Sequence, residues 1–137
     1  MAVNPYVEMA TLAAQLMQAR QTILPKRLMA PGPEREQLDM ILGAAASAPD
    51  HGQLLPWRFV GVPDHARAPL AQVFGTALLE RDPQATDQQV LQAREKAYRS
   101  PCLLLVVVND RCGDPEIDVH ERIVSAGCAV QNVLLMA

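Results

Sequence analysis

The residues best suited to chemistry lie together in Ala46-Ser47-Ala48-Pro49-Asp50-His51-Gly52-Gln53-Leu54-Leu55-Pro56-Trp57-Arg58-Phe59. This stretch joins a helix end, a polar loop and the start of a strand, and junctions of that kind commonly hold ligands. His51 can donate a hydrogen bond to a ligand's carbonyl or phosphate. The alternative is a loop histidine that caps nearby backbone groups.

Other chemistries lack their residues. Neither G-x-G-x-x-G nor G-x-x-x-x-G-K-[ST] is present, so any nucleotide must be held without a Rossmann turn or a P-loop. His120-Glu121 is not the H-E-x-x-H of a helical zinc site, and no Ser, His and acid set is visible by spacing. Cys102, Cys112 and Cys128 are odd in number and lack C-x-x-C spacing, which argues against a disulfide framework and against zinc. Cys102, inside an apolar run, reads as a small buried hydrophobe, and Trp57, opening an alternating strand, as core.

The elements that must position these residues follow from periodicity. Met9, Leu12, Ala13 and Leu16 share one face of a helix over 7–20. After the loop at Met29-Ala30-Pro31-Gly32-Pro33, with Pro33 suited to the first helical position, a second helix carries Leu38, Ile41, Leu42 and Ala45 on one stripe and stops at about Ser47. Trp57 to Val62 alternates as a strand entered through Pro56. A helix over 67–80 follows, then another from Thr86, where Thr86 and Gln89 form a capping box. Cys102 to Val108 is apolar throughout and reads as the central strand, covered on both faces. Glu121 to Ala137 is nearly all small or apolar and reads as a buried helix, a candidate interface. Two strands and five helices make one α+β domain over 1–137, with too few strands for a complete sheet. The last helix reaches Ala137 without Gly, Pro or a basic residue to end it, so a missing C-terminal part is expected.

With 137 residues, half of them hydrophobic, one core can form. The 12 basic and 15 acidic residues are dispersed, with no stripe for nucleic acid, which leaves a small molecule as the expected partner. No apolar run reaches the roughly 20 residues of a membrane helix, and Met1 to Tyr6 lacks the layout of a signal peptide, so a cytoplasmic protein is expected.

Ala48-Pro49-Asp50-His51 followed by Pro56-Trp57-Arg58-Phe59 resembles the signature of the FMN-dependent nitroreductase family, above all a compact bacterial subgroup in which A-P-D-H precedes Q-P-W-R-F. Arg20-Gln21-Thr22 resembles that family's R-R-S or R-R-T. Ser125-Ala126-Gly127-Cys128-Ala129-Val130-Gln131-Asn132 resembles its G-A-A-x-Q-N helix, and Arg99-Ser100-Pro101 stands where the subgroup steps into its central strand.

The resemblance implies a central antiparallel sheet wrapped by helices and a homodimer with FMN at each subunit interface. Arg20 would contact the flavin phosphate, with Gln21 and Thr22 adding hydrogen bonds, and a guanidinium suits phosphate geometry. The alternative for Arg20 is a charge at a helix C-terminus, a role worth about 0.3 to 1 kcal/mol without any ligand. His51 would lie against the flavin, beside Ser47 and Gln53. Ser47 replaces the subgroup's flavin-contacting Arg, Gln53 stands where many relatives have Asn, and Leu55 where they have Gln. The implied reaction is ping-pong: NAD(P)H reduces the flavin, then a nitroaromatic, quinone or similar acceptor reoxidises it, with no side chain needed as catalytic acid or base. Two other readings are a same-fold ene-reductase or dehalogenase and a flavin-free fragment that only dimerises through the helix ending at Ala137.

Overall fold

The computed structural model describes residues 5–137. In chain order it contains α1 (Pro5–Ala19), α2 (Arg35–Gly43), β1 (Trp57–Gly61), α3 (Asp64–Arg81), α4 (Asp87–Glu95), β2 (Leu104–Val108) and α5 (Val119–Met136). Short 3-10 turns occupy Pro25–Arg27, Ala44–Ser47, His51–Gln53 and Lys96–Tyr98. The described residues thus form the expected α+β set of five helices and two strands. They divide into two compact units, one of residues 5–22, 34–58 and 108–137, the other of 23–33 and 59–107.

In the first unit, α2 starts at a capping box in which the Glu34 N–H donates to Gln37 Oε1 at 2.9 Å. Pro33 therefore precedes the cap instead of opening the helix, because Glu34 supplies the reciprocal side-chain bonds that the first turn needs. The 3-10 turn at Ala44–Ser47 extends α2, and Ala45 is buried there at 3% exposure. Its partner is α5, whose inward stripe is Arg122, Ser125, Ala126, Ala129 and Val133. That stripe follows the 3.6-residue period, but Ile123, Val124, Leu134 and Met136 lie exposed on the helix's other sides. The expected buried helix is thus buried along one side only in this chain. Likewise α1 forms where its periodicity places it, yet Met9, Leu12 and Leu16 are exposed at 67%, 59% and 49%.

Arg122 is the largest buried side chain of this unit, at 2% exposure. Its Nε donates to the Ile117 carbonyl at 3.1 Å, Nη1 to the Cys112 carbonyl, and Nη2 to the Asp114 carbonyl. Nη1 also lies 3.3 Å from Cys112 Sγ. One guanidinium thereby satisfies three carbonyls of the loop that leads into α5. At the start of α5 the Asp118 carboxylate accepts the His120 N–H at 2.7 Å as its N-cap.

β1 and β2, most of whose residues belong to the second unit, run antiparallel in a two-stranded sheet, with Val62 N–H donating to the Leu103 carbonyl at 2.9 Å. Among the described residues β2 pairs with β1 alone. Leu105 and Val106 are exposed at 55% and 37%, so the expected cover on both faces is absent here, and Cys102 and Trp57 are half-buried. α3 begins at Asp64, a turn before the expected start, because an acid in the first turn favours that end and Ala66 N–H already bonds Pro63. Thr86 and Gln89 make the expected capping box at α4. Gly75 lets the two helices approach: a Cβ there would lie 2.7 Å from Arg94 Nε. Arg67, 5% exposed, donates from Nη1 to the Ala97 carbonyl at 2.8 Å and so ties α3 to the end of α4.

Arg122→Ala removes the guanidinium donors to the Cys112, Asp114 and Ile117 carbonyls, of which the Asp114 carbonyl keeps the Ile117 N–H at 3.4 Å and the buried Ile117 carbonyl loses its side-chain partner. It is expected to lower stability by about 2 to 4 kcal/mol in urea denaturation. The Asp118 carboxyl is held below the ordinary aspartate range, chiefly by the His120 backbone N–H and next by the His120 side chain. A depressed folded-state pKa means that this contribution is fully present above the unfolded pKa and lost as pH falls through the folded one. An NMR titration of Asp118 is expected to show a midpoint below that of an unstructured aspartate.

Candidate functional site

The loop from Pro49 to Leu55, within the first unit, is set by its backbone. Gly52 has φ +70°, and an added Cβ would stand 2.8 Å from Ile117 Cδ1. Gln53 and Leu55 also take positive φ, +51° and +46°, which is uncommon for residues with side chains. Such local strain persists only where surrounding contacts fix it, and it clusters at ligand clamps. Here the Asp50 carboxylate accepts the Leu55 N–H at 2.6 Å and closes the loop. The His51 side chain is tied to α5 by Nδ1 lying 2.7 Å from Glu121 Oε2.

That contact settles part of the reading of His51. A carboxylate can only accept, so Nδ1 carries the hydrogen, and Nε2 is left for a further partner. Among the described residues the His51 side chain bonds this carboxylate and no backbone group. It lies in a groove of about 400 Å³ with Asp50, His120, Glu121, Ser125 and Cys128. Gln53 lines a second hollow, with Asp50 and Leu55, of about 460 Å³. Ser47 lines a third, of about 270 Å³, with Leu16 from α1 and Asn132 and Met136 from α5.

Arg20 follows Leu16 by one helical turn, its N–H donating to the Leu16 carbonyl at 3.2 Å. Its Nη1 donates to Thr22 Oγ1 at 3.0 Å, and both side chains are exposed, as is Gln21. The structure thus joins Arg20 to Thr22, Ser47 to the end of α1 through Leu16, and His51 to α5. Among the described residues no hydrogen bond links Arg20, Gln21 or Thr22 with Ser47, His51 or Gln53. Asn132, in the helix motif, donates from Nδ2 to the Ala44 carbonyl at 3.3 Å and fixes the turn that bears Ser47. Sequence reasoning missed Glu121 and Arg122 as the side chains that hold this loop region. Arg122 falls on the same helical stripe as Ser125, Ala126, Ala129 and Val133, which was the available signal.

The Nitroreductase family model matches residues 17–137, a span that includes Arg20, the strained loop and α5. The chain belongs to the nitroreductase family. It is 33% identical over 112 residues to a Haemophilus influenzae protein named "Putative NAD(P)H nitroreductase", covering 82% of this chain and 60% of that protein. It is also 33% identical over 112 residues to "Putative NAD(P)H nitroreductase YdjA" of Escherichia coli, covering 81% of this chain and 59% of the relative. The chain therefore spans about three fifths of the length of these curated relatives. Among the described residues no helix is long and apolar enough to cross a membrane.

The two loop contacts differ in expected weight. Glu121→Gln removes the carboxylate from a contact whose side chains are 65% and 52% exposed, so stability should change by less than about 1 kcal/mol. Gly52→Ala meets both an unfavourable φ and Ile117, and should cost about 1 to 3 kcal/mol in the same denaturation assay.

Proposed function

We propose that this chain forms the cofactor-holding part of a cytoplasmic, homodimeric FMN-dependent NAD(P)H oxidoreductase acting on nitroaromatics, quinones or similar small electron acceptors. The observation that carries the reading is Arg20. Among the described residues its exposed guanidinium has no acidic partner and bonds only the neighbouring Thr22 hydroxyl, within the span that matches the family. An unpaired guanidinium beside a hydroxyl is a donor set that fits a phosphate. Arg20, Gln21 and Thr22 would hold the FMN phosphate, and Ser47, His51 and Gln53 would face the rest of the cofactor. When bound, FMN supplies the hydride-accepting and hydride-donating centre between NAD(P)H and the acceptor.

The chain's own residues orient and polarise. Glu121 sets the ring of His51, which can then offer Nε2 as an acceptor when neutral, or a second N–H when protonated. Ser47 brings a neutral hydroxyl where the subgroup has a guanidinium, so the electrostatic hold on the cofactor rests more heavily on Arg20. The exposed apolar faces of α1 and α5 support the dimer, since stripes of that size are normally covered by another surface.

Arg20→Ala is expected to weaken FMN binding by about tenfold or more in a fluorescence-quenching titration, one charge-assisted bond being worth at least 1.5 kcal/mol or so. Unchanged affinity would remove Arg20 from the phosphate site. A Ser47→Arg substitution should raise affinity in the same titration.

A further inference from the structure

The second unit contains a groove of about 470 Å³ that the proposed flavin site does not use. α3, α4 and the 3-10 turn after α4 line it, with Phe74, Leu78, Arg81, Gln89, Lys96 and Arg99 as the side chains that matter. Three cations and no acid border this space, in a protein whose formal net charge is −3. None of the three is in an ion pair among the described residues, although Glu80, Asp82 and Glu95 are their close neighbours in sequence. Each sits at the C-terminal end of a helical segment: Arg81 ends α3, Lys96 caps α4, and Arg99 caps the turn Lys96–Tyr98. Helix ends make a cation tolerable there, since the macrodipole is negative at that end. That alone does not explain three cations lining one groove, where like charges repel and focus a positive potential.

The other walls narrow the ligand. Gln92 adds an amide that donates and accepts, and Gln89, whose amide oxygen accepts from Thr86 in the capping box, adds an NH2 donor, while Phe74, Ala77 and Leu78 give an apolar side. We infer that this groove binds a phosphorylated small molecule with a flat apolar body, the chemical class of a mononucleotide. Its phosphate would be held by Arg81, Lys96 and Arg99, and its ring would lie against Phe74 and Leu78. Guanidinium pairs hold phosphate oxygens with directional, charge-assisted bonds, and an aromatic side chain offers a stacking surface for a base. The inference stands on residues 74–99 and does not depend on the flavin reading.

Calorimetric titrations of the purified chain with AMP, and separately with inorganic phosphate, test it. AMP is expected to bind at least about tenfold more tightly than phosphate, and to weaken steeply with added salt. Arg81→Gln combined with Arg99→Gln should weaken AMP binding by about tenfold or more, while Arg20→Ala leaves it unchanged. Circular dichroism melting identifies any variant that fails to fold, and amide-resonance shifts of Gln89 and Gln92 on AMP addition to the unaltered chain locate the ligand without substitution. Equal binding of AMP and phosphate would overturn the nucleotide assignment. Loss of AMP binding in Arg20→Ala, an undiminished affinity in the folded double variant, or absent shifts at Gln89 and Gln92 would overturn the groove itself.

Discussion

The buried guanidinium of Arg122 is the constraint on which the first unit depends. A charged group almost fully removed from water must satisfy its donors internally, and here it does so on the carbonyls of Cys112, Asp114 and Ile117 rather than on a carboxylate. The loop before α5 is thereby wrapped around one side chain of α5's first turn. Two consequences follow for the site. Ile117 is held where it lies close to Gly52, and Glu121, the residue before Arg122, is held within reach of His51. The strained backbone of Gly52, Gln53 and Leu55 is therefore supported from α5 as well as by Asp50. Residues far apart in the chain become one local arrangement through hydrogen bonds to backbone atoms, which fix positions more sharply than apolar packing alone.

Most of the element order was legible in the sequence. Punctuating residues were responsible: the prolines at 49, 56, 63 and 101, and the Thr86–Gln89 cap, bound segments whose internal period then decided helix or strand. The motif Ala48-Pro49-Asp50-His51 with Pro56-Trp57-Arg58-Phe59 identified the family that the comparison over residues 17–137 shows. What the sequence conveyed less well is burial. Periodicity marks which residues share a face but not whether anything covers that face, so the outer sides of α5 and parts of β2 were read as buried and stand exposed, and the apolar face of α1 is exposed as well.

The buried arginines were illegible for a different reason. Composition counts Arg67 and Arg122 among dispersed surface charges, yet each is more than nine tenths buried and ties a helix to a loop or turn through carbonyls. A cation on the inward stripe of a helix otherwise made of Ser, Ala and Val was the one local sign. The positive φ of Leu55 had no sign at all, since neither its type nor its neighbours favour that conformation. For His51 the sequence left two roles open, and among the described residues its side chain bonds the Glu121 carboxylate and no backbone group.

Membership of the nitroreductase family supports a flavin oxidoreductase, together with an exposed Arg20 that has no acidic partner among the described residues and a positive-φ loop bearing His51. Anaerobic addition of NADH or NADPH to the purified chain saturated with FMN, followed by its visible absorbance, tests that most directly. The expected result is a protein-bound flavin spectrum that bleaches with the nicotinamide and returns on adding a quinone or nitroaromatic acceptor. A spectrum that stays that of free FMN, removed completely by gel filtration, would contradict it.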